Sequence, residues 1–219
     1  MAAKKIYRPC IAFKMNYCDG GKDSDHVGFY GICSDKIIKY NIEKPRAWCS
    51  NEDCDCKQYY DKKISRDELE GNYPCQESSA LLDWRFEVAQ PIRNAKEGHL
   101  CLLTTKFPNM KEEDRFIVAM FIIGNIVERA EYGGLITANN NFDYCLEFSL
   151  NEVHKMKFWK VYHNSTGAIK WGSGLFRYFS DDDAVKFLKM AVEVKRGTDG
   201  EDFAKDFLNY YCELNNLAL

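Results

Sequence analysis

Residues 115–126, RFIVAMFIIGNI, are bulky and apolar at almost every position. A strand with one wet face alternates apolar and polar residues, so a run without alternation is expected in the middle of a sheet, buried on both faces. Shorter strands are expected at 10–15, 27–33, 36–42, 100–105, 132–136, 142–147 and 168–179. Helices are expected at 78–89 and 149–159, and two more close the chain. Ser65 with Glu68 and Ser180 with Asp183 have capping-box spacing, the first pair opening a brief helix that Gly71 ends. Ala184, Val185, Phe187, Leu188, Ala191 and Val192 form one helical apolar stripe, and Phe203, Phe207, Leu208, Tyr211 and Leu214 another. These elements together make the fold class α+β.

The 219 residues divide most naturally in two. The turn-prone stretch 91–98, PIRNAKEG, is the expected joint between a cysteine-rich α+β domain at 1–95 and a sheet-based domain at 96–219.

Four of the ten cysteines stand out chemically. Cys49, Cys54 and Cys56 are spaced C-x4-C-x-C, Cys75 follows 19 residues later, and Glu52, Asp53, Asp55 and Lys57 surround them. Thiols bunched in so polar a stretch read as metal ligands, with Cys33 as a substitute fourth ligand. Cys18, beside the Asp19-Gly20-Gly21 turn, is the weaker candidate. Cys10, Cys101, Cys145 and Cys212 have apolar or aromatic neighbours and are expected in the core. Zn2+ is favoured over a [4Fe-4S] cluster, although the lack of any C-x2-C knuckle keeps the cluster open. The front half has few elements and a thin core, so a metal would supply much of its folding free energy. Residues 1–8 lack the apolar core of a signal peptide, and no run approaches the roughly 18 apolar residues of a membrane span. A reduced, cytoplasmic chain is expected.

With 33 acidic and 30 basic residues the chain offers no global attraction for a polyanion. Residues 153–177 are the exception. They hold no carboxylate, yet carry Lys155, Lys157, Lys160, Lys170 and Arg177, together with Phe158, Trp159, Tyr162, Trp171 and Phe176. Cations hold phosphates and rings stack on bases, each stacked base contributing roughly 1–3 kcal/mol, so the mixture suits an unpaired base or single strand. Gly172 and Gly174 beside Trp171 would let a ligand approach the backbone, and Ser173 adds a hydroxyl. No nucleophile–base set, phosphate loop or dinucleotide fingerprint occurs.

The order of elements after residue 99, with KMKFWKVYHN followed by WGSGLFRYFSDDDAVKFL, resembles the PUA-like superfamily, in particular its EVE, YTH and ASCH branches. That resemblance spans roughly 99–195. It implies a mixed sheet or barrel flanked by helices that holds a modified or flipped-out base of DNA or RNA in an aromatic pocket, and several such domains are joined to nucleases. Trp159 and Trp171 would be the pocket walls, Ser173 and backbone amides the readers of the base edge, and Lys160, Lys170 and Arg177 the phosphate contacts. On this basis Trp171→Ala is expected to remove binding and leave the fold intact. An alternative is an enzyme or redox sensor in which the four cysteines hold an iron-sulfur cluster.

Overall fold

The computed structural model describes residues 7–20, 32–43, 49, 51–72, 84–88, 90–129, 133–139, 143–172 and 174–218. The larger sheet has five strands in the order Cys145–Glu147 (β7), Phe116–Ile122 (β4), Leu100–Thr105 (β3), Cys10–Lys14 (β1) and Phe176–Phe179 (β8). β1 runs parallel to β3 and antiparallel to β8, while β4 is antiparallel to both β3 and β7. A second sheet has three strands, Arg85–Val88 (β2), Gly133–Thr137 (β6) and Asn125–Arg129 (β5), all antiparallel. β7 and β8 are the two edges of the larger sheet, which does not close into a barrel among the described residues.

The pleat of β1 shows what covers each face. Cys10 meets the hydroxyl of Tyr211 on Glu201–Leu214 (α6), whereas Phe13, an odd number of residues on, stacks against Phe86 of β2 with centroids 4.4 Å apart. Asp181–Lys195 (α5) joins α6 on the helical side, where its Phe187 meets Phe179 of β8 edge-on. As its composition demands, β4 is buried along all but its last residue. The apolar run nevertheless does not continue as one strand. Gly124 breaks it, because a Cβ there would lie 2.4 Å from the backbone nitrogen of Asn139. Gly124→Ala should therefore cost about 3 kcal/mol, the upper end of overpacking penalties, read as a lowered urea midpoint.

Four expectations are corrected, two of them by burial periodicity. Residues 36–42 lie in a helix, Asp35–Glu43 (α1), because Ile37, Ile38, Asn41 and Ile42 cluster on one side at helical spacing. Residues 85–88 form β2 and not part of a helix, since Phe86 and Val88 alternate inward against β6. The helix expected at 149–159 is one turn, Leu150–Val153 (α4), followed by a 3-10 turn at Phe158–Lys160. In the same way, regular pairing among the described residues of 168–179 is confined to β8. Residues 27–31 and 78–83 lie outside the described residues. Both anticipated caps form. The Ser65 hydroxyl accepts from the Glu68 amide at 3.2 Å to open Arg66–Gly71 (α3), and the Ser180 hydroxyl accepts from the Asp183 amide at 3.3 Å.

β1 and β2 pair with strands that follow residue 99, and Ile92 and Ala95 of the expected joint are buried in the main core. Between them α1, Asp55–Tyr60 (α2) and α3 have their own small apolar centre, Ile38, Ile42 and Leu69. The buried Asn41 of α1 donates to the carbonyl of Tyr17, which ties that centre to the chain leaving β1.

Candidate metal centre and basic face

Cysteines gather where β1 hands over to the helical lobe. The Cys18 and Cys33 sulfurs and an Asp19 carboxylate oxygen all lie within 4.8 Å of one another. Asp19 brings the two loops together: its carboxylate accepts the Ser34 amide at 2.8 Å and the Ser34 hydroxyl at 2.5 Å. Cys33, Cys49 and Cys56 all pack on the Ile38, Ile42 and Leu69 centre. The Cys33 thiol is held well above its usual pKa, first by its hydrogen bond with Cys18, then by burial and by the negative charge of Cys18, Cys56 and Cys49. Burial, with the charge of Asp19, Cys18 and Cys33, likewise pushes the Tyr17 phenol up to about 12. Two donors point at sulfur, the Gly20 amide to Cys18 at 3.4 Å and the Asn16 side-chain amide to Cys49 at 3.1 Å. Such a group of cysteines can hold a metal ion.

Of the ligands expected from spacing, Cys49 and Cys56 pack with the substitute Cys33 on one apolar centre, and Cys75 lies outside the described residues. Cys54 is the N-cap of α2, its carbonyl accepting from Lys57 and Gln58. Cys18 is the residue that spacing undervalues. Its signal is the glycine two positions on, at φ 65°, which turns an amide back to the sulfur. Cys10, Cys101 and Cys212 are buried and Cys145 half-buried, as their neighbours suggest.

A second polar cluster joins the ends of the fold. The Asp181 Oδ1 atom accepts from His99 Nδ1 at 2.9 Å, from the Tyr211 hydroxyl at 2.6 Å and from the Cys10 thiol at 3.5 Å. Burial forces the Cys10 thiol far up, so it stays protonated and makes no nucleophile. His99, the residue after the expected joint, is a member of this network.

On the basic face, both tryptophans are interior. Trp171 is 2 % exposed and Trp159 8 %. The Trp171 ring lies 4.6 Å from the guanidinium carbon of Arg115 and 5.6 Å from that of Arg177, and its indole N–H donates to the Gly174 carbonyl at 2.8 Å. An open stacking wall at Trp171 is therefore corrected to a core ring between two cations. The Trp159 indole N–H is buried with no acceptor among the described residues. Lys160 and Lys170 are exposed, Arg177 is half-exposed with its guanidinium across Gly172 and Gly174, and Ser173 lies outside the described residues. Burial raises the Tyr162 phenol, and Arg177 and Arg8 are the cations that act on it in the opposite sense. No helix among the described residues is long and apolar enough to cross a membrane.

Comparison with protein-family models, with curated proteins and with solved structures finds no match to this chain.

Proposed function

We propose that this chain is a nucleic-acid-binding module that grips an unpaired or modified base of DNA or RNA, beside a lobe held by a thiolate-bound metal. The observation that carries this reading is the carboxylate-free segment 153–177, where Lys160, Lys170 and Arg177 reach solvent and the Trp159 indole N–H has no acceptor among the described residues. Phosphates would meet the cations, and a base edge would supply the missing acceptor to Trp159. Recognition then goes through edges, since the Trp171 face is filled by Arg115. The PUA-like likeness belongs to the same reading, as does a nuclease acting on what the module holds. For the metal, thiolate donors suit Zn2+ or a [4Fe-4S] cluster, with zinc favoured.

Fluorescence anisotropy with a labelled single-stranded oligonucleotide tests this. Binding should weaken with salt, and Lys160→Glu with Lys170→Glu should lower the slope of log affinity against log salt by about 1 per lysine. Equal affinity in the charge-reversed protein, or no binding to DNA or RNA at low salt, would sink it.

A further inference from the structure

We infer that Cys10, His99 and Asp181 are three ligands of a divalent, zinc-class cation bound at one end of the larger sheet, with water in its fourth position. This goes beyond the reading above and does not rest on it, since neither the basic face nor the cysteines of the helical lobe supply a ligand.

Strand register brings the three together. Cys10 opens β1 and pairs with Phe179 at the end of β8, two residues before Asp181. The parallel pairing of Ile11 with Cys101 sets His99 beside the same end of β1. As a result the Cys10 sulfur, a His99 ring nitrogen and an Asp181 carboxylate oxygen all lie within 4.8 Å of one another. Tetrahedral bonds of about 2.3 Å to sulfur and about 2.0 Å to nitrogen and oxygen put the sulfur about 3.5 Å from the other two ligand atoms, which are themselves about 3.3 Å apart. Cys10 Sγ is 3.5 Å from Asp181 Oδ1, and His99 Nδ1 is 2.9 Å from it. The imidazole has only to withdraw by a few tenths of an ångström.

The hydrogens point the same way. The Cys10 thiol and the His99 Nδ1–H both donate to one carboxylate oxygen, so two hydrogens are aimed at the space that the cation takes. On binding, the thiol proton leaves to solvent and the imidazole proton moves from Nδ1 to Nε2, which frees a lone pair on each ligand. The dication then balances one thiolate and one carboxylate, as a partly desolvated site requires. The Tyr211 hydroxyl, 2.6 Å from the carboxylate oxygen and 3.2 Å from the sulfur, is an outer partner that holds two of the ligands in place. Cys10 is fully buried while His99 and Asp181 keep some exposure, so ion and water enter past the histidine. Sulfur with imidazole selects Zn2+ or Co2+ over Mg2+ and Ca2+, which take oxygen.

The test is nitrogen NMR of the histidine side chains in the isotope-labelled full chain, titrated with ZnCl2. The His99 Nδ1 resonance, assigned by its absence from His99→Gln, should move to the position of a metal-bound ring. Zinc per chain, by elemental analysis, should fall by one in Cys10→Ser and in His99→Gln relative to wild type, whatever the lobe binds. The serine hydroxyl still donates to Asp181, so Cys10→Ser keeps the hydrogen-bonded cluster and removes only the soft ligand. In the Co2+ protein the same substitution should remove the sulfur-to-cobalt absorption of one thiolate. A His99 resonance that stays put in excess zinc, or equal zinc in the wild type and both variants, would overturn the assignment. Should a variant fail to fold, the wild-type titration decides alone. No oligonucleotide is present, so failure here is separable from failure of binding at the basic face.

Discussion

Trp171→Ala should lower stability by about 3–5 kcal/mol, as expected for deleting a buried aromatic side chain, and chemical denaturation should show it as a large fall in midpoint. The indole fills space between Phe158, at 5.2 Å, and Trp159, at 6.5 Å. Its removal also strips the cover from Arg115, which is 1 % exposed and whose charge is otherwise balanced by Glu112. A cation over a desolvated ring gains about 2 kcal/mol, so the loss reaches beyond apolar area. Trp171→Phe keeps a ring for Arg115 and should lose less. A stable Trp171→Ala protein would mean that the ring is an accessible wall after all, and would restore stacking there.

Asp181→Asn should cost about 3 kcal/mol, because three donors from three parts of the chain converge on one oxygen and hydrogen bonds to charged groups contribute about 1.5–3 kcal/mol each. The effect should depend on pH with a definite sign. Burial raises the Asp181 carboxyl, but hydrogen bonds from His99 and Tyr211 outweigh it and hold the pKa below the usual carboxylate value. A depressed folded-state pKa gives stability that is present above the unfolded value of about 3.9 and disappears as pH falls through the folded one. The gap between wild type and Asp181→Asn should therefore be widest near neutrality and close under strong acid, as thermal unfolding across pH will show. A gap that widens in acid would contradict the arrangement.

How much of this was written in the chain varies with the range of the forces involved. The burial of residues 116–121 and the caps at Ser65 and Ser180 are local, set by composition and by three-residue spacing, and they are legible. The split at Gly124 is not, because its cause is the backbone of Asn139, just past the end of β6. At 36–42 a strand looks plausible until adjacent Ile37 and Ile38 are both required inside, which one face of a strand does not allow. The metal candidates divide in the same way. Cys49 and Cys56 are visible as neighbours in sequence, whereas Cys18 and Cys33 meet only because Asp19 binds Ser34 across the gap. Trp159 and Trp171 mislead for a related reason. Aromatic and basic residues interleaved in sequence do not reveal that the rings turn inward while the cations turn out.

β1 sits inside the larger sheet with partners on both edges, β3 and β8, the latter ending at Phe179. On a ribosome this strand emerges long before β8 does, so the sheet cannot be completed until most of the polypeptide has been translated. The cysteine-bearing lobe, whose members end at Gly71, is under no such delay. It can close on its Ile38, Ile42 and Leu69 centre before the sheet assembles and, through the bond from Asn41 to the Tyr17 carbonyl, steady a waiting, apolar strand, which lowers chaperone demand during synthesis.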